Sequence, residues 1–158
     1  MYKVLMIDGE EYKLEFSIEA SLYNDCIEKI TNLMFGIDEG QNRRDIKTLL
    51  SSISDVPNTA ITCFYAGLLE HHGVEGDGRV MNRSIAKKLV SKLLKDENSE
   101  YSNFYDIFTL CLDQMAEDGF FDLIGLSEML KTEEKPKREP KKPQDHKKKS
   151  TKATENPS

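Results

Sequence analysis

Several things are scarce in this sequence, and each scarcity narrows what the chain can be. No apolar run approaches the roughly 18 residues of a membrane span. No basic start followed by an apolar stretch opens the chain, so no secretory leader is expected. Cysteine is rare: Cys26, Cys63 and Cys111 are odd in number and widely spaced, which fits a reducing cytoplasm better than a disulfide scaffold. Tryptophan is absent and proline occurs five times in 158 residues. The sharpest absence is regional. After Leu130 there is no Val, Ile, Leu, Met, Phe, Tyr or Cys. Residues 131–158 hold nine Lys, one Arg, five acidic groups and four of the five prolines, a net of +5. Residues 1–130 carry 12 basic and 23 acidic groups, a net of −11, within a whole-chain charge of −6. A segment without apolar groups cannot offset its ordering entropy by burial. One domain over 1–130 and a disordered Lys/Pro-rich tail over 131–158 are therefore expected. The acidity of the body argues against nucleic acid as its partner, because phosphate binding needs clustered Lys and Arg.

Recognisable chemistry is also scarce. His71-His72 beside Glu70 is not the i, i+4 pair of a zinc protease helix, and adjacent helical residues point about a hundred degrees apart. They read as a surface helix end, favoured by the negative C-terminal dipole. Asp77 between Gly76 and Gly78 lacks the further acids of a calcium loop and reads as a turn. Ser51, Ser52 and Ser54 have no glycine-framed elbow, and no phosphate-cradling glycine loop is present. The cysteines read as buried packing thiols. No catalytic, cofactor-binding or metal-binding residue is assigned, and no cofactor is expected.

What is present is a packing pattern. Asp8-Gly9 is a two-residue hairpin turn signal. It pairs Ile7 with Glu10 and Leu5 with Tyr12, placing Leu5, Ile7, Tyr12, Leu14 and Phe16 on one face. Val4 and Met6 fall on the other face with Lys13 and Glu11. From Ser17, a candidate N-cap, the apolar spacing becomes helical through Ile18, Leu22, Ile27, Ile30, Leu33 and Met34. Gly36–Arg44 reads as a polar loop. Asp45 to Ile53 reads as a short helix, and Asp55 and Pro57 suit the start of another that ends at Gly73. Gly73 to Gly78 reads as a flexible connector. Two more helices follow, one capped by Asn82 or Ser84 and one by Ser102. The expected fold class is mainly α: a small N-terminal β-hairpin, about five packed helices, then the tail.

Two features stand out as interaction surfaces. Phe120, Phe121, Leu123 and Ile124 lie between Gly119 and Gly125, either capping the core or forming an exposed docking site. The tail, with Lys147-Lys148-Lys149, is a solubilising end or binds an acidic partner, RNA or the acidic body.

The opening Ile7-Asp8-Gly9-Glu10-Glu11-Tyr12-Lys13-Leu14-Glu15-Phe16 resembles the start of tail assembly chaperones from long-tailed phages of Gram-positive bacteria. Phe64-Tyr65-Ala66-Gly67-Leu68-Leu69 and Glu117-Asp118-Gly119-Phe120-Phe121 also resemble that family, in order and pattern across 1–130. The resemblance implies a non-enzymatic role in the host cytoplasm. It implies binding of the tape measure protein, recruitment of the major tail tube protein, and absence from the finished virion. Self-association is a further expectation. Many members are also made in a longer form by programmed frameshifting, and codons for Lys147-Lys148-Lys149 are a candidate slip site. On that reading Phe120, Phe121, Leu123 and Ile124 contribute to the partner surface. The alternative is a small cytoplasmic regulatory or nucleic-acid-associated protein acting through its basic tail.

Overall fold

The computed structural model describes residues 1–35, 46–126 and 128; the tail and the Gly36–Arg44 loop lie outside them. The chain is mainly helical behind an N-terminal hairpin, as its spacing predicts. Strands β1 (Lys3–Ile7) and β2 (Glu10–Leu14) pair antiparallel, with Ile7 opposite Glu10 and Leu5 opposite Tyr12. Asp8 and Gly9 sit at φ 54° and 78°, the double left-handed geometry that a type I′ turn demands. Leu5, Ile7, Tyr12, Leu14 and Phe16 are all buried, while Val4 and Met6 face out. A two-stranded hairpin is marginal alone. Here helices cover its apolar face.

Among the described residues six helices follow: α1 (Ile18–Ser21), α2 (Asn24–Phe35), α3 (Ile46–His72), α4 (Arg83–Lys95), α5 (Phe104–Glu117) and α6 (Phe120–Leu123). The stripe from Ile18 to Met34 is therefore two helices, not one. The Tyr23 amide bonds back to the Ala20 carbonyl and ends the first turn. Ser17 holds the N-cap position of α1, but its side chain does not cap; its hydroxyl donates to the Glu70 carboxylate at 2.5 Å. Asn82 does cap α4, accepting from the Ile85 amide at 3.0 Å. Asn103, not Ser102, caps α5, because Ser102 instead bonds Asp106 through both its amide and its hydroxyl.

The largest departure is α3. The two helices expected on either side of Asp55 are one 27-residue helix with Pro57 inside it. A proline in a helix interior removes one backbone bond and costs about 3 kcal/mol or more. Tertiary burial offsets that cost. Ala60, Ile61, Cys63, Phe64, Ala66 and Leu68 are buried along α3, which packs against β2, α1, α2, α4 and α5. The side chains of Ile46, Leu49, Leu50 and Ile53 lie outside the described set. Among the described residues, no helix is long and apolar enough to cross a membrane.

Gly67 shows how closely hairpin and helix approach. The Glu15 amide donates to the Gly67 carbonyl at 2.8 Å. A Cβ at Gly67 would lie 2.5 Å from Leu14 Cδ1 and 2.8 Å from Phe16 Cζ. Both neighbours are fully buried and have nowhere to go. Gly67→Ala is expected to destabilise the fold by about 2 kcal/mol through overpacking. An unchanged urea midpoint would refute the close contact.

Candidate functional site

Three places could carry function: the histidine pair, the cysteines and the α1/α6 end of the bundle. His71 and His72 form the last turn of α3, and His71 is partly exposed there, but His72 is not at the surface. His72 is 3% exposed, and the connector after it is tightly built. Asp77 and Val80 amides bond back to the carbonyls of His71 and His72, and the Gly76 and Gly78 amides bond to Gly73. The expected flexible connector is thus a hydrogen-bonded loop that folds over the end of α3. His72 Nε2 accepts the Lys13 backbone N–H at 2.8 Å, so that nitrogen carries no proton. Nδ1 then holds the proton and donates to Asp77 Oδ2 at 2.8 Å. Arg79 completes the seal, donating to Asp77 at 2.9 Å and to the Glu11 carbonyl at 2.8 Å. Its guanidinium also lies 4.5 Å from the centre of the Tyr12 ring.

The electrostatics follow from this geometry. Burial pulls the His72 imidazole below the usual histidine range, against the opposing pull of Asp77. Partial burial works against the Asp77 carboxylate, yet bonds from the Arg79 amide, His72 and the Arg79 side chain hold it at about 2. His71 bonds Glu15 at 2.6 Å instead of sharing a ligand with His72. Among the described residues, no three His, Cys, Asp or Glu groups are placed to hold a metal. The pair ties hairpin to helix.

The cysteines pack in the core as free thiols. Cys26 and Cys63 Sγ atoms are 3.9 Å apart. The bond to Cys63 and burial push the Cys26 thiol up, and burial does the same to Cys111. Thiols held protonated in this way are poor nucleophiles.

The glycine-framed segment divides. Phe120 is 0% exposed and its ring centre lies 5.5 Å from that of Phe16. It belongs to the core, so a partner cannot touch it without opening the fold. Phe121 and Ile124 are half-buried against the core, and Leu123 is 52% exposed. Ile18, which the apolar spacing assigned to packing, is 63% exposed, because the single turn of α1 buries Ala20 instead. Ile18 and Leu123 flank one groove of about 520 Å³, with Ser17, Glu15, Asp118 and Asp122 along it. Asp118 fixes the two walls. Its carboxylate accepts the Phe16 amide at 2.8 Å and the Gln114 side chain at 2.9 Å. Ile18 opens the four-residue α1, and a single turn is too short for apolar spacing to define its buried face. Comparison of the chain with protein-family models, with curated proteins and with solved structures finds no match.

Proposed function

We propose that this chain is a tail assembly chaperone of a long-tailed phage, binding the tape measure protein and tail tube subunits without catalysis. The opening hairpin sequence, Ile7 to Phe16, first points to the reading. The groove between Ile18 and Leu123 is the structural observation that supports it. A tape measure is a long helical protein whose apolar stripes need cover before the tube encloses it. A helix laid into an apolar groove is one way to provide that cover. The net charge of −11 over residues 1–130 would keep such a complex dissolved.

The test is co-expression of the full chain with a tape measure protein of a long-tailed phage. Co-purification and a gain in tape measure solubility are expected. Leu123→Glu and Ile18→Glu place a charge in the groove and forfeit the burial of an aliphatic side chain, worth about 1.5–3 kcal/mol. Each is expected to weaken capture roughly tenfold or more, while circular dichroism and the thermal midpoint stay unchanged. Failure of the wild type to capture or solubilise the tape measure would sink the reading. Unimpaired capture by both variants would remove the groove from it.

A further inference from the structure

We propose that the outer edge of β1 joins two copies of this chain as an antiparallel strand pair, on a two-fold axis at Leu5. The two edges of the hairpin are treated differently. With a two-residue turn, Ile7 and Glu10 form the first bonded pair. Residues 3, 5 and 7 then bond toward β2, and Val4 and Met6 point their backbone groups away. On β2 and at the residue after it, the outward groups belong to Glu11, Lys13 and Glu15. All three residues are engaged: the Glu11 carbonyl by Arg79, the Lys13 amide by His72, the Glu15 amide by the Gly67 carbonyl. The outward N–H and C=O groups of Val4 and Met6 have no such partner among the described residues. A groove of about 340 Å³ runs along Lys3–Met6 of β1, with Leu93, Asp96 and residues 98–101 on its other side.

An open edge with apolar side chains is a template for another strand. The side chains here are Val4 and Met6, 41% and 59% exposed. The pattern is complementary to itself. With Leu5 opposite Leu5 of the copy, Val4 meets Met6 of the copy and each pair exchanges two hydrogen bonds. All the outward groups of both strands are then used. On the solvent face the four apolar side chains meet in the middle, bounded by Lys13 and Glu11 from each hairpin. The charges choose the direction. β1 begins at Lys3, which has no ion pair among the described residues, and runs into Asp8, whose carboxylate Lys92 holds at 3.0 Å. Antiparallel pairing about Leu5 sets Lys3 of one copy opposite Ile7 of the other and one position from its Asp8; parallel pairing in register would set like beside like. A strand pair of this size falls below a standard stable interface, so the dimer is concentration-dependent.

Sedimentation equilibrium of the full chain, up to about 1 mM, is expected to show the mass rising from monomer toward dimer. Amide exchange at Val4 and Met6 is expected to slow at least tenfold in the concentrated sample. Met6→Lys and Val4→Pro are expected to weaken association at least tenfold, because an edge lysine and a missing N–H both block strand addition. A monomer at every concentration overturns the proposal, and would leave the edge to an extended peptide of another protein. A dimer indifferent to both variants, or one without protection at Val4 and Met6, also overturns it by placing the contact elsewhere. Should Val4→Pro fail to fold, Met6→Lys at a solvent-facing position and exchange in the wild type still decide.

Discussion

Phe120→Ala is expected to lower the unfolding free energy by about 3–5 kcal/mol, the usual cost of emptying a buried phenylalanine site. The reason lies in where the ring sits. Phe120 opens α6, is fully buried and packs on Phe16, itself 1% exposed at the end of the hairpin. Hairpin, α5 and α6 meet around that pair, so the cavity would not collapse easily. A domain of this size has only about 5–15 kcal/mol in total, so the variant should stand close to unfolding at physiological temperature. Urea denaturation monitored by circular dichroism measures it. The comparison with Leu123→Glu, three residues on, is what makes the result informative. One substitution should move stability and the other should move only partner capture. A Phe120→Ala protein as stable as wild type would mean that the ring is not part of the core.

Removal of the His72 side chain is the second large effect, about 3 kcal/mol for His72→Ala. It leaves the Lys13 amide without its acceptor, takes a partner from Asp77 and opens space beside Tyr12, whose ring lies 5.3 Å from the imidazole. The same geometry makes stability pH-dependent. In the native state Nε2 faces an N–H donor, so protonating it sets donor against donor. Burial, opposed by Asp77, lowers the native imidazole below the unfolded value of about 6.5. The unfolded chain binds more protons in that interval, so stability is full above pH ~6.5 and falls as pH drops toward the native value. Asp77 has the same sign lower down: its native value of about 2 lies below the unfolded value, so its contribution is lost as acid protonates it. Urea midpoints at neutral and mildly acidic pH should differ for wild type. The difference should shrink in His72→Gln, which cannot titrate there. An equal slope in both proteins would contradict the donor–acceptor assignment.

These effects show where local spacing carries information and where it stops. The hairpin was legible because its determinants are adjacent: the Asp8-Gly9 turn sets the register, and alternation sorts Leu5 and Ile7 from Val4 and Met6. The inner faces of α4 and α5 were legible for the same reason, through Leu89, Val90 and Leu93 and through Ile107, Cys111 and Met115, although Ala86 and not Ile85 is the buried residue in the first turn of α4. His72 was not. Its burial depends on Lys13, 59 residues away, offering an N–H at the right height, and on a loop that folds back through Asp77. Within the glycine-framed segment, four apolar residues have no period long enough to choose an inner face. Only Phe16, far earlier in the chain, selects Phe120 for the core and leaves Leu123 outside.

By itself, then, the sequence determined the division of charge between body and tail, the hairpin with its register, and the helical class of the body. Each depends on composition or on spacing within a few residues. The tertiary structure alone decided that α3 runs through Pro57, that His72 and Arg79 close one edge of the hairpin, and that Ile18 and Leu123 share a groove. Residue spacing dictates which side chains share a face. Which faces are covered depends on elements that meet from opposite ends of the chain.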